Sequence, residues 1–338
     1  MGGDHGPPVT LPGLAMATQR LSSDARFLVY GDEAQIAPVL AKLPQLTGRI
    51  EVRHTDKVVA SDEKPAVAVR RGKGSSMWNA IEAVKVGEAG AAVSCGNTGA
   101  LMAISKLILR MSVDLERPCL AVAWPGAKGI TTVLDAGANI DCDAERLVEF
   151  AIMGEAFHRA AHGVAKPTVG LMNIGSEDMK GHEEVREAHA ILRSGKFDLD
   201  YRGFVEGDDL SKNTVDVAVT DGFTGNIMLK VAEGTARYVA AELRSALTSS
   251  LITKLGAGLA RAGLIRFRDK LNPPPAAPFL GLNGVVVKSH GAATDRHFAD
   301  AVCMAADLAQ SDFASEIERN MTRLSAALEA APAAEEPS

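Results

Sequence analysis

Five times along this chain a short apolar run ends in a polar turn that carries glycine, and these turns hold the residues best suited to chemistry. They are Ser94-Cys-Gly-Asn-Thr-Gly-Ala100, Asp135-Ala-Gly-Ala-Asn-Ile-Asp-Cys142, Asn173-Ile-Gly-Ser-Glu177, Asp221-Gly-Phe-Thr-Gly-Asn226 and Lys288-Ser-His-Gly-Ala292. Beyond the carboxyl ends of strands in an open α/β sheet, helix N-termini and freed backbone N–H groups converge, so such turns together make a composite anion site. Gly96, Asn97, Thr98 and Gly99 place backbone donors at the start of a helix expected near Ala100, and the Asn97 and Thr98 side chains add two more. Asp221, Thr224 and Asn226 repeat the design, with two glycines letting the backbone approach a ligand. Lys288, Ser289 and His290 bring a cation, a hydroxyl and an imidazole to the end of a strand, while Asn173 and Lys180 share a further loop.

Positioning these turns requires strands alternating with helices. The runs 27–30, 91–93, 131–134, 169–172 and 284–287 are short enough for buried parallel strands, and 78–86, 144–161 and 298–308 read as helices between them. That alternation predicts an α/β fold: a mostly parallel sheet with helices on both faces, forming one domain over 1–325. Ser75 and Ser76, after Arg70, Arg71 and Lys73, suit the N-cap of a helix starting near Met77. Residues 326–338 are Ala, Glu and Pro and read as a disordered tail. Met1-Gly-Gly-Asp-His-Gly-Pro-Pro8 reads as a strand-to-helix turn whose first strand is missing.

One segment, about 239–272, breaks the rhythm. Leu243, Leu247, Leu251, Leu255 and Leu259 recur every four residues, while Lys254, Arg261 and Arg268 form a second stripe. The expectation is a protruding, basic, amphipathic helical hairpin broken near Gly263, with Leu251, Leu255, Leu259, Arg261 and Arg268 on an anionic membrane surface.

The formal charge of −6 argues against nucleic acid as a partner and leaves any basic partner site local. Cys95, Cys119, Cys142 and Cys303 show no C-x-x-C spacing, which fits a reducing cytoplasm and points to neither structural zinc nor a redox pair. No run approaches the roughly 18 apolar residues of a spanning helix. His158-x-x-x-His162 has metal-ligand spacing without the glutamate of the zinc protease pattern, so a surface pair is expected.

Taken in order, Gly-Gly-Asp4, Gly-Ser-Ser-Met77, Gly-Asn-Thr-Gly-Ala-Leu101, Leu-Asp-x-Gly-Ala-Asn-x-Asp-Cys142, Asn-Ile-Gly-x-Glu-x-x-Lys-Gly181, Asp-Gly-Phe-Thr-Gly-Asn226 and Lys-Ser-His-Gly291 resemble the bacterial phosphate acyltransferases of phospholipid synthesis, the PlsX family. The resemblance spans Met1 to about Leu324. It implies a fold similar to isopropylmalate dehydrogenase and phosphotransacetylase, and a reversible transfer of a fatty acyl group from acyl carrier protein to inorganic phosphate. It also implies a homodimer in the cytoplasm, peripherally bound at the inner face of the cell membrane, whose acyl phosphate passes to a membrane glycerol-3-phosphate acyltransferase. Family members carry an apolar strand ending in Asp-x-Met just before Gly-Gly-Asp, and Met1 stands at the place of that Met.

In that reaction phosphate is already a nucleophile, so the protein has to hold it, stabilise the tetrahedral oxyanion and help sulfur leave, with no metal or other cofactor. Asn97, Thr98, Lys180, Asn226 and His290 are the expected catalytic set. Ser75, Ser76, Gly96, Gly99, Asp135, Asn139, Asp141, Asn173, Asp221, Thr224, Lys288 and Ser289 are the expected substrate contacts. Two other classes stay open: a metal- and nicotinamide-dependent dehydrogenase on a similar fold, using Asp135, Asp141 and Asp143 as ligands, and a non-enzymatic scaffold docked on a membrane through the hairpin.

Overall fold

The computed structural model describes residues 2–112, 115, 117–271, 276–311, 317, 319 and 322, with the backbone alone at 269–271. The tail expected at 326–338 lies outside the described residues. In chain order the first elements are α1 (Pro7–Ala17), β1 (Phe27–Gly31), α2 (Glu33–Leu40), β2 (Ile50–His54), α3 (Pro65–Arg71), α4 (Ser76–Lys85), β3 (Ala91–Ser94) and α5 (Thr98–Leu109). The middle holds β4 (Cys119–Leu120), β5 (Val122–Pro125), β6 (Ile130–Leu134), α6 (Ala144–His162), β7 (Thr168–Met172), α7 (Glu183–Arg193), β8 (Asp200–Val205), α8 (Asp209–Lys212) and β9 (Val217–Val219). Then come α9 (Gly222–Thr248), α10 (Leu251–Leu259), α11 (Arg261–Leu271), β10 (Ala276–Leu280), β11 (Val285–Ser289) and α12 (Asp295–Gln310).

The alternation of strand and helix is as expected, but among the described residues the strands divide into three sheets rather than one. β1 and β2 pair in parallel; a second sheet has the order β3-β11-β10-β4 and a third β5-β6-β9-β7-β8. Parallel ladders join β11 to β3 and link β6, β9, β7 and β8, whereas β10 runs antiparallel to both its neighbours and β5 antiparallel to β6. The chain crosses between the two larger sheets at Ala121, whose N–H donates to Pro278 O at 3.1 Å, and Ala136 N–H donates back to Leu120 O at 2.9 Å. These two contacts bring the carboxyl ends of β3 and β11 to face those of β6 and β9 across a cleft.

Two large apolar clusters hold the sheets. One surrounds α6, with Phe150, Met153, Leu147 and Val217 buried; the other surrounds α5, with Leu101, Ile104, Ile81 and Val286 buried. A smaller one packs α1 against α12. Aliphatic residues make up most of each cluster, as the low aromatic content requires.

The 239–272 segment is organised differently from the expected hairpin. Residues 239–248 continue α9, and the helical run breaks at Ser249-Ser250 and again at Ala260, not at Gly263. Ser250 explains the first break, since its hydroxyl accepts from Thr253 N–H at 3.2 Å and Thr253 Oγ1 accepts from Ser250 N–H at 3.0 Å, a reciprocal cap that starts a new helix. α10 packs back on α9, yet Leu251, Leu255 and Leu259 stay 79%, 73% and 93% exposed. Arg261 and Arg268 are exposed on α11. No helix of the described residues is long and apolar enough to cross a membrane.

The expected surface pair on α6 is half wrong: His158 is 2% exposed, although His162 is open to solvent. His158 Nδ1 lies 2.9 Å from Thr132 Oγ1 and its Nε2 3.9 Å from Asp216 Oδ1, so the ring fastens α6 to the starts of β6 and β9. Burial, with the neighbouring His162, lowers its pKa to about 4 against the pull of Asp216. An unfolded chain would titrate this group near 6.5, so the stability it confers is present above 6.5 and is lost as pH falls toward 4. Glu149, pushed up to about 7 by burial despite Arg146, acts with the opposite sign. The wild type should therefore lose on the order of 1–2 kcal/mol more stability than His158→Gln between pH 7.5 and pH 5. Urea titrations of both proteins at the two pH values measure that difference, and parallel pH slopes would refute it.

Candidate active site

The first wall of the cleft is the turn between β3 and α5. Gly96 N–H donates to Ser94 Oγ at 3.1 Å, and Asn97 caps α5 by accepting from Ala100 N–H at 3.0 Å. The same amide donates to Ser61 O at 2.9 Å and Glu63 O at 2.8 Å, which uses both of its N–H groups. The Asn97 side chain therefore shapes the turn and has no donor left for a ligand. Thr98 and Gly99, in the first turn of α5, line the cleft, and no protein group among the described residues accepts from their backbone N–H groups.

The second wall is where the 135–139 turn meets the start of α9. Asp221 caps α9, accepting from Thr224 N–H and from the Thr224 hydroxyl, each at 2.8 Å, so that hydroxyl is committed. A Cβ on Gly222 would stand 2.4 Å from Asn139 O and one on Gly225 1.9 Å from Asp135 O. These two glycines serve the contact between the turns, not the approach of a ligand. Asp135, fully buried, accepts from Leu120, Gly137, Ala138 and Asn139 N–H groups and from Asn139 Nδ2. Burial pushes its carboxyl up from the ordinary value against the pull of those donors. Asn226 donates to Ala136 O at 3.3 Å and lines the cleft with its second N–H to spare.

The third wall is the end of β11. Lys288 Nζ donates to Ser289 O and lines the cleft, half-buried; burial lowers its pKa from the usual lysine value. Ser289 is fully buried, bonded to Cys95 rather than facing the cleft. His290 Nδ1 accepts from Ala292 N–H at 3.1 Å, so the neutral ring carries its proton on Nε2. Burial lowers the His290 pKa; Glu233 pulls it up, and Lys288 and Lys230 push it down.

Between these walls lies a cleft of about 340 Å³. Its polar part gathers Thr98, Gly99, Asn226, Lys288 and His290, five of the expected site residues. It also holds Lys230 and Glu233, which the turns did not reveal; Lys230 Nζ is 3.2 Å from Glu233 Oε2. Residues 226, 230 and 233 fall on one face of a helix, so the spacing i, i+4, i+7 counted on from Asn226 could have found both. The rest of the lining is apolar, including Met102, Leu120, Val122, Leu229 and Phe279.

Several expected contacts lie elsewhere. Lys180 is half exposed, 3.0 Å from Glu177 Oε1, and Asn173 Nδ2 donates to Lys180 O at 3.0 Å, so their loop is tied to itself away from the cleft lining. Ser75 is the buried N-cap of α4 and accepts from Trp78 N–H at 3.3 Å; Ser76 is buried beside it. Asp141 is exposed beyond the Asp135 turn. Burial raises the thiols of Cys95 and Cys142, the latter to about 12, opposite to what a nucleophilic thiolate needs.

A mixed α/β fold with an anion-suited cleft between two sheets places the chain among proteins built like the phosphotransacetylases. A branched-chain phosphotransacylase from Enterococcus faecalis V583 superposes with a TM-score of 0.58 at 12% identity, over 91% of this chain and 97% of that one. A 4-hydroxythreonine-4-phosphate dehydrogenase from Klebsiella pneumoniae gives 0.51 at 14% identity, over 92% and 97%. Sequence narrows the class: residues 1–316 match the family described as "Fatty acid synthesis protein". A relative from Phenylobacterium zucineum named "Phosphate acyltransferase" is 66% identical over 337 residues, 100% of this chain and 95% of its own length. The chain belongs to this phosphate acyltransferase family.

Replacing Asn97 removes a helix cap and two ties to the 61–63 segment. Asn97→Ala should lower folding stability by about 1–2 kcal/mol, read as a drop in Tm, whereas Asn226→Ala should leave Tm within error. A large Tm loss in the second variant alone would reverse the two assignments.

Proposed function

We propose that this chain transfers a fatty acyl group, reversibly, from the thioester of acyl carrier protein to inorganic phosphate, giving acyl phosphate for phospholipid synthesis. The observation that carries the reading is the cleft itself, where the start of α5, Lys230, Lys288 and His290 adjoin an apolar floor. An oxyanion and an acyl chain need those two surroundings side by side. The names of the relatives point the same way.

Phosphate rests on the Thr98 and Gly99 N–H groups and on Lys288, with the acyl chain along Met102, Leu229 and Phe279. A phosphate oxygen attacks the thioester carbon, the remaining Asn226 N–H helps hold the oxyanion, and collapse breaks the C–S bond. The proton carried by hydrogen phosphate ends on the sulfur, and His290, with its own proton on Nε2, donates a hydrogen bond that stabilises the departing thiolate. Because only protonated Lys288 binds the anion, turnover falls as pH rises through the lowered lysine pKa.

The exposed Leu251, Ile252, Leu255 and Leu259, with Arg261 and Arg268 beyond them, support peripheral docking on the anionic inner face of the cell membrane, beside a glycerol-3-phosphate acyltransferase that takes the product. The exposed side chains Phe223, Ile227, Val231 and Tyr238 along α9 support a homodimer.

The test is thiol release from acyl carrier protein by the purified chain, with and without phosphate. Release should require phosphate, fall at least tenfold in Asn226→Ala, about 1.4 kcal/mol of transition-state stabilisation, and lose its alkaline limb in Lys288→Met along with most of its rate. Thiol release that ignores phosphate, or none in the wild type, would overturn the reading.

A further inference from the structure

We propose that the cationic face of α3 and of the turn after it is the docking surface for the acidic carrier protein that presents the thioester; this rests on the acyl-transfer reading above. Residues 64–81 contain Lys64, Arg70, Arg71 and Lys73 and no Asp or Glu, in a chain whose formal charge is −6. All four cations are exposed, and among the described residues none has a carboxylate in ion-pair reach. Arg70 Nε turns back to Ala66 O at 3.2 Å. Lys57, also exposed, donates to Lys73 O at 2.7 Å, which fixes the turn and adds a fifth cation. Elsewhere many surface cations are matched: Arg53 by Glu51 and Glu88, Lys166 by Asp198, Arg202 by Asp200 and Lys212 by Asp208.

The patch stands at the mouth of the cleft. A Cβ on Gly99, a lining residue, would lie 2.8 Å from Pro65 Cγ at the start of α3, and Asn97 holds the Ser61 and Glu63 carbonyls just before it. A Cβ on Gly72 would lie 3.4 Å from Ile104 Cδ1, so α3 runs alongside α5 and puts Arg70 about 8 Å of helix rise beyond Pro65. A thioester on a flexible arm can enter over Thr98 from a protein seated there.

Its make-up suits an acidic protein better than a bilayer. Between residues 57 and 85 the exposed large apolar residue is Val58, whereas α10 exposes four such side chains beside Lys254. Peripheral membrane contact draws on both apolar insertion and charge; an acidic protein is steered and oriented by charge. Asp56, Asp62 and Glu63 lie next to the patch in the chain and disfavour an anionic partner on their own side of it.

The experiment compares wild type with Arg70→Glu/Arg71→Glu on two donors, acyl carrier protein and a small acyl-pantetheine thioester, at low and high salt. The proposal expects a KM for the carrier protein raised tenfold or more, a weaker salt dependence, and unchanged kinetics with acyl-pantetheine. Lys64→Glu/Lys73→Glu carries the same comparison if the first variant does not fold. An unchanged carrier KM, an equal loss on both donors, or lost binding to phosphatidylglycerol vesicles with the carrier KM intact would each overturn it. Failure of the acyl-transfer reading is distinguishable, because the wild type would then release no thiol from either donor in a phosphate-dependent way.

Discussion

The Asp135 carboxylate is the group on which the cleft depends. It is fully buried and surrounded by N–H donors from Leu120 and from the turn that follows it. Leu120 belongs to one sheet and the turn follows a strand of the other, so a single side chain ties the two together. The turn so held presents Asn139 O to Gly222 N–H at 2.7 Å, which sets where α9 begins. Removing one partner from such a web leaves others buried and unmatched, which costs more than the loss of a single bond. Position of Asn226, Lys230 and Glu233 follows from that junction.

Opposite the junction, cations gather with partial compensation from Asp4 and Glu233. Lys288 and Lys230 stand near each other and near His290, and burial already disfavours the charge on Lys288. Glu233, itself buried, offsets part of this repulsion through Lys230. A bound oxyanion would complete the arrangement, receiving the α5 N–H groups and relieving the cations in one step.

Local rules carried much of this into the sequence. Asn97, Asp221 and Ser75 cap their helices within three residues, and the runs at 91–93, 169–172 and 284–287 become strands because their apolar side chains have no alternative to burial. What failed was decided at long range. Gly222 and Gly225 look like room for a ligand until the 135–139 turn is seen pressed against them. Lys180 has the composition of a phosphate contact, but its loop closes on Glu177 and Asn173. Nothing local announces that Ala276–Leu280 runs antiparallel between two strands and divides the sheet. Lys230 and Glu233 were hidden for the opposite reason: they sit inside a helix, where charge is ordinary. The break at Ser250 was readable from its cap, while Gly263, with open space around it, did not need to interrupt anything.

α9 is a single helix of 27 residues, about 40 Å from the residue beside Asp221 to the one before Ser249. Its first turns wall the cleft and its far end delivers the chain to α10. Asn226, Lys230 and Glu233 lie within its first twelve residues, so about 22 Å of helix stands between them and the break at Ser249-Ser250. One helix thus carries the chain from the cleft to the exposed leucines of α10.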